Sequence, residues 1–538
     1  MPRNKYRTLT TLPPASQFGR GDSIIYQGEV LTSDGVNWTS QTGPLSYTAA
    51  TLPDPATLGV GAPVVVNDEP LASNGQFFGR YIKKPALVKS DGVLLYDAVI
   101  TFGANAVIAS TSGAFTQSDV GKRVAFYEKV SGAAARAGCG NIVAVTSSTT
   151  VVTDMTVSGA SNVLVAAVAY GTDMGAYIND YWQSIKRHGG CDVGNFVYLS
   201  SVKLLLPNGV TLEGNGRKGG FDLPHNANLQ GANVFVCATT SLQSADNSFF
   251  DIGDGGEAGF EYLSGGGTKL IGINVDGFLL PWTVTKGVAA ACKMTNAQSL
   301  RNYSSAGYAI RAVGGMTIDD CVGVSHYRGT PIGADSVGDV HIRNGGAFGA
   351  GNGYFALKIS NCSDVDVTGI HLWKCSNDAT MLGGQVLIEG YGGSKLKNNR
   401  IENCTFDTSF GPHVKLALGS GCSAYNVAIV GNQGFNNNAV PAATYPCMEV
   451  AAPSSGAGYI RAMTVTGNGF DSSFDDESKG TYTGFIQQTG AGTVGLRAVT
   501  VGINAANNCA AGYLGGFTPN YSAGNVAVPI GSSTTTTF

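Results

Sequence analysis

Asp364 and Asp366 stand two apart in SDVDVTG, with Val365 between them and Val367 following. On an extended strand that spacing puts both carboxylates on one face, about 6.5 to 7 Å apart at the backbone, and turns the valines to the other. Hydrolysis of a glycosidic bond uses two carboxyl groups, one to protonate the leaving oxygen and one as base or nucleophile, about 5 to 9.5 Å apart. Repulsion between such neighbours raises one pKa towards that of a usable acid. The same D-x-D spacing also describes a solvated outer face. Asp335 and Asp339, in GADSVGDV, flank a turn, could meet across it, and complete the set of candidate catalytic acids. Asp319 and Asp320 point to opposite faces if extended, whereas Asp378, Glu389 and Glu402 could join Asp364 or Asp366 from neighbouring strands.

Flat rings pack against the apolar faces of sugars while polar groups hold the hydroxyls. Trp373, Tyr327, Arg328 and Tyr391 are the candidate substrate-binding residues, with Trp282, Tyr303, Tyr308 and Tyr354 as further rings that core packing can equally explain. Proton abstraction beside a uronate carboxyl is the rival chemistry, and His326-Tyr327-Arg328 and His341-Ile342-Arg343 could supply its base and cation. The six histidines form neither H-x-x-x-H nor H-E-x-x-H, and DIGDGGEAGFEY (251–262) lacks a calcium spacing, so neither a metal nor a cofactor is expected.

These residues need a scaffold, and the composition limits which. Gly contributes 76 of 538 residues, and charged residues are 13%, against roughly 25% in an ordinary soluble domain. Apolar residues at 43% with a net charge of −4 describe a chain that folds, rich in strand and turn. Thirty-three basic and 37 acidic residues without long runs give no footprint for a phosphate backbone, so nucleic acid is not an expected partner. No apolar run approaches the roughly 20 residues of a membrane span, and the first residues lack the apolar core of a secretory signal. Synthesis in a cytoplasm, without membrane insertion, is expected. Eleven cysteines without a C-x-x-C pair read as free buried thiols, and Cys321, Cys362 and Cys404 occupy similar places in successive strands.

Residues 1–85, rich in Pro, Gly, Ser and Thr, predict a small β module for attachment, with DSIIYQGEV (22–30) and PVVVND (63–68) as its strands. Residues 86–170 predict a strand-built neck, clearest in NIVAVTSSTTVVTDMTVSG (141–159). In 171–190, Tyr177, Ile178, Tyr181, Trp182 and Ile185 recur at helical spacing; Asp173 is placed to cap the start and Gly189-Gly190 the end. Such a helix would cover the open end of a strand stack.

Residues 191–510 repeat loosely. Ile342, Val367, Ile401, Val430, Val465 and Val501 recur every 25 to 36 residues, the length of one coil of a parallel solenoid. Asn361, Asn403, Asn432 and Asn468 follow the strands, where Asn tolerates a left-handed turn and can hydrogen-bond along the stack. The expected fold is all-β, a right-handed parallel β-helix, with 511–538 as a short terminal segment. A β-sandwich is the alternative, but it would show more short hairpin signals.

FTQSDVGKRVAF (115–126), YGTDMGAYINDYWQSI (170–185) and VYLSSVKLLLPNGVTLEGNG (197–216) together resemble the pectate-lyase-like β-helix proteins of phage tailspikes. In that family an F-x-x-x-D-V-G-K strand module precedes a G-T-D-D helix cap, and a P-x-G-V-x-L-x-G-x-G coil follows. Here the cap reads Gly171-Thr172-Asp173-Met174. The resemblance implies a homotrimer on the virion tail, held through its N-terminal module by tail or adaptor proteins. It also implies a bacterial capsule, O-antigen or exopolysaccharide as target, bound and cleaved by glycosidic hydrolysis during host adsorption. A non-catalytic glycan-binding fibre and a polysaccharide lyase remain the alternatives.

Overall fold

From Gly190 onward each turn of the chain gives one short strand to each of three parallel sheets, because a single coil cannot bury its inward side chains except against the next. This computed structural model describes the backbone of 23–26, 29–33 and 38–40 and the chain from 89 onward. From there it omits 129–136, 159–162, 186–189, 208–209, 216–231, 240–248, 253–268, 272, 277–281, 285–292, 296–297, 303–307, 312–313, 326–329, 337, 349–354, 376–382, 410, 436–444, 472–481, 508, 529–535 and 538. In several strands, chiefly between 250 and 316, only the backbone is described.

The first sheet carries, among its strands, Gly338–Arg343, Ser363–Thr368, Arg400–Glu402, Ser423–Val430, Ala457–Thr466 and Thr493–Gly502. The second carries Gly346–Phe348, His371–Cys375, Thr405–Ser409 and Gln433–Phe435; the third carries Ile332–Asp335, Phe355–Ser360, Gly384–Gly390, Val414–Leu418 and Met448–Ala451. Coil follows coil in parallel register, which excludes the sandwich and makes the chain a parallel β-helix. The right hand is the one parallel crossovers take.

The inward column of the first sheet is Ile342, Val367, Ile401, Ile429, Val465 and Val501, all buried. Val430 does not belong to it. Val430 pairs with Glu402 on the outward row, since a shift of one residue in a strand reverses the face.

The corner between first and second sheets is two residues long in six successive coils: 344–345, 369–370, 403–404, 431–432, 467–468 and 503–504. Its first residue is left-handed, as at Asn344, Gly369, Asn403 and Gly431. Its second points inward and stacks. A Cβ on Gly345 would lie 2.0 Å from the Cys321 carbonyl, so that position has no room for a side chain. At the later coils this second position is Asn432, Asn468 and Asn504, continued by Asn525. Each accepts a backbone N–H from the preceding coil's corner at 3.0 to 3.1 Å; Asn432, Asn468 and Asn504 each also donate Nδ2–H to the next Oδ1 at 2.9 Å. The four recurrent asparagines of the sequence therefore split: Asn361 and Asn403 supply the left-handed turn, and Asn432 and Asn468 the buried ladder.

The cysteines divide similarly. Cys321 and Cys404 sit at this corner, but Cys362 lies at the corner from third to first sheet, so the three are not equivalent in the stack. What they share is local: each follows a left-handed residue and directs its thiol to the carbonyl two residues back. Among the described residues no two cysteines form a disulfide.

A seven-stranded antiparallel sheet spanning strands Val93–Leu95 to Val163–Gly171 precedes the coils. Asp91 ties it to the chain that follows, pairing with Lys122 and accepting from the Thr172 backbone and hydroxyl; Lys122 also pairs with Asp119. Asp173 accepts the Gly175 N–H at the start of helix Gly175–Ile185 and the Ser201 N–H of the first coil, both at 3.1 Å. Met174, in place of a second acid, is buried. Ile178, Tyr181 and Trp182 cover the end of the stack, Trp182 against Phe235 and Phe250. Gly190 already belongs to the first strand rather than to the helix end. Nearer the start, Ser23–Tyr26, Glu29–Ser33 and Trp38–Ser40 form a three-stranded antiparallel sheet; 63–68 lies outside the described residues.

Candidate functional site

Asp335, Ser360 and Glu389 occupy one outward row of the third sheet on three successive coils. The inward residues beside them, Ala334, Ile359 and Ile388, are buried and fix the row's direction. Glu389 Oε1 collects three donors: Lys358 Nζ at 2.7 Å, Ser360 Oγ at 2.8 Å and the Tyr391 hydroxyl at 2.6 Å. Oε2 has no hydrogen-bond partner among the described residues. Burial alone would raise the Glu389 carboxyl, but these donors and the Lys358 charge outweigh it and hold it below its usual range. The Tyr391 phenol is pushed up to about 12 by its own burial and by its bond to Glu389, with the charge of Asp335 adding to the shift. Asp335 is exposed and accepts from Ser336 Oγ at 3.0 Å. Two strand spacings, about 9.5 Å at the backbone, separate Asp335 from Glu389.

Asp366 lies round the corner, on the first sheet. Its Oδ2 is 3.4 Å from both His341 Nδ1 and Arg343 Nη2, and its Oδ1 accepts from Thr368 Oγ1 at 3.2 Å. His341 Nε2 is 3.3 Å from Asp339. On the neighbouring strand Arg400 binds Glu402 through two nitrogens.

Asp364 does not form the extended pair with Asp366 that D-x-D suggests. Its φ is +57°, and the register passes from Ser363 to Val365 around it, as around Asp339 one coil before at +58°. Both belong to an outer left-handed column continued by Asn398, Asn426, Ala462 and Ala498. Asp335 and Asp339 do flank a turn but take separate partners, Ser336 on the third sheet and His341 on the first. Glu389 stands with Asp335 rather than with Asp364 or Asp366, and Glu402 stands with Arg400.

Among the described residues Tyr391, half exposed, is the one candidate ring placed beside carboxylates of this row. Trp373 is on the second sheet, partly buried and stacked on His371 at 6.3 Å. Tyr327, Arg328, His326, Tyr303, Tyr354 and Asp378 lie outside the described residues, as do Asp254, Glu257 and Glu261; the side chains of Asp251, Trp282 and Tyr308 do too. Lys358 and Ser360 are members that sequence reading missed. Their outward alternation in LKIS (357–360), carried one coil forward to Glu389, is the signal that finds them.

No family model and no curated protein matches the chain. Among solved structures it is similar to the mannuronan C-5 epimerase AlgE6 A-module of Azotobacter vinelandii, at 15% identity over 66% of this chain and 96% of that one, TM-score 0.39. It is similar also to the tailspike protein of E. coli bacteriophage HK620 (11%, 66% and 63%, TM-score 0.47). A third is the endo-xylogalacturonan hydrolase of Aspergillus tubingensis (10%, 64% and 97%, TM-score 0.44). The likeness is one of fold.

Proposed function

We propose that this protein is a tailspike-type depolymerase that binds a bacterial surface polysaccharide and cleaves it by glycosidic hydrolysis at the Asp335–Glu389 row. The observation that carries this reading is the paired position of Asp335 and Glu389 across Ser360, with Glu389 anchored through one oxygen and open at the other. Held ionised, Glu389 serves as the base, its Oε2 taking a proton from the attacking water. Asp335, across Ser360, is the second carboxyl that such a hydrolysis uses. A separation of about 9.5 Å at the backbone leaves room for water and favours inversion at the anomeric carbon. Tyr391 offers its ring to a sugar face. Elimination fits this row less well: with its phenol pushed up to about 12, Tyr391 stays protonated, and Lys358 is committed to Glu389, so neither is a ready base.

Assembly as a homotrimer on the virion tail, attachment through the N-terminal module and synthesis in the host cytoplasm complete the proposal. The resemblance of 115–216 to tailspikes supports them. The test is reducing-end release from host capsule or O-antigen by the intact protein, Asp335→Asn and Glu389→Gln. Loss of release in both, with glycan binding and assembly kept, is expected; release at the parental rate by either variant sinks the assignment. Release by none of the three, with binding kept, makes the protein a passive glycan-binding fibre.

A further inference from the structure

Beyond the turn that follows Tyr391, the outer face of the first sheet carries Lys395 and Lys397, then Tyr425, then Tyr459 and Arg461, then Arg497, on four successive strands. The register aligns them in two columns, Lys397–Tyr425–Arg461–Arg497 and Lys395–Ser423–Tyr459–Gly495. All four cations are exposed. The Arg461 guanidinium lies 5.6 Å from the centre of the Tyr425 ring and 5.8 Å from that of Tyr459, so the rings and the charge form one surface. Elsewhere on the outer faces Lys358, Lys415, Arg343 and Arg400 each pair with a carboxylate. Among the described residues Lys395, Lys397, Arg461 and Arg497 pair with none. Four unneutralised cations gathered on one face of a chain with net charge −4 make a local field of the opposite sign to the whole.

We propose that this face binds an acidic polysaccharide, one whose sugars carry carboxylates, lying along the coil axis over about 14 Å. The inference rests on the reading that the protein acts on a polysaccharide and adds the class of sugar. Carboxylates meet the lysines and arginines, and the apolar faces of the sugar rings meet Tyr425 and Tyr459. A nucleic acid is the other polyanion that unpaired cations attract, so the test carries one as a competing outcome.

The test measures binding of polygalacturonate, alginate and hyaluronate, with dextran as a neutral polymer and single-stranded DNA as the other polyanion. The protein, Arg461→Gln/Arg497→Gln and Tyr459→Ala are compared at two salt concentrations. Expected is salt-sensitive binding of at least one polyuronate. The double variant and Tyr459→Ala, both folded by circular dichroism, should bind it less well, the double variant about tenfold. Dextran and DNA should bind weakly. No polyuronate binding, unchanged binding by the double variant, or equally tight DNA binding overturns the inference. Cleavage of a neutral host glycan without polyuronate binding overturns it while leaving the hydrolase standing; polyuronate binding without cleavage of any host glycan does the reverse.

Discussion

Asn398 Nδ2 donates a 2.7 Å hydrogen bond to the Asp364 carboxylate one coil away, and its own Oδ1 accepts from Asn426 at 2.9 Å. Asp364 is therefore the final acceptor of a hydrogen-bonded run within the outer left-handed column. Asp364→Asn keeps both the acceptor and the tolerance for positive φ, so reducing-end release and the unfolding midpoint should stay at parental values. Asp364→Val should lower stability by about 1 to 2 kcal/mol through backbone strain, read from the unfolding midpoint. A loss of release in Asp364→Asn would return this residue to the catalytic set.

The pH behaviour of Glu389 follows from its lowered carboxyl. The unfolded group titrates near 4.5 and the folded one lower. The stabilisation it provides is complete above that unfolded value and disappears as pH falls through the folded value. Parent and Glu389→Gln should differ in unfolding midpoint at pH 7, and the difference should narrow at pH 3. A constant difference across that range would mean that Lys358, Ser360 and Tyr391 do not stabilise the ionised form.

His413 gives the opposite kind of group. It is fully buried between Phe406 and Phe470, with Nε2 2.7 Å from the Tyr482 hydroxyl and, among the described residues, no hydrogen-bond partner at Nδ1. Burial pushes its pKa down to about 3, against an ordinary 6.5. Between those values the unfolded chain takes up a proton that the folded chain refuses. Stability should fall by about 1.4 kcal/mol per pH unit below pH 6.5 on this account alone. Replacing His413 with Phe removes that slope, so the variant should lose less stability than the parent between pH 7.5 and 4.5, measured by denaturant unfolding. Identical pH dependence in the two would show that the imidazole is not held neutral.

The inner asparagine ladder should be far less forgiving than the outer column. Asn468→Ala strips the acceptor from the Asn432 N–H and Nδ2 and leaves the Asn504 Oδ1 without its Nδ2 donor, all buried. A loss of about 2 kcal/mol or more is expected. Asn426→Ala, exposed and in a column where Ala462 and Ala498 already sit, should cost about 1 kcal/mol or less. Comparable losses in the two variants would contradict the ladder's role.

The solenoid was legible because its repeat is written in aliphatic residues one coil apart, a signal that survives variable connections. Its phase was less so. Val430 and Ile429 are adjacent aliphatics, and only the pairing of Ile429 with Ile401 and Val465 decides which faces inward. The acids show a similar limit. Asp364 and Asp366 look like a pair because alternation is assumed, and one left-handed residue breaks it. Asp335 and Glu389 are joined by two coils of unequal length, so their adjacency depends on turn lengths that no local pattern encodes. The N-terminal cap was easier, since Asp119 and Lys122 pair within one motif and Asp173 caps the helix that directly follows it, whereas the tie from Thr172 back to Asp91 is not a local signal.

The two-residue corner between first and second sheets has a counterpart of very different habit. From second to third sheet the link runs from three residues, 201–203, to fourteen, 472–485. One edge of the molecule thus acts as a spine that keeps time through those six coils, and another as a fringe where length can be added without disturbing the beat. New loops, and whatever they reach for, can be acquired along that fringe while the spine goes on counting the same two residues.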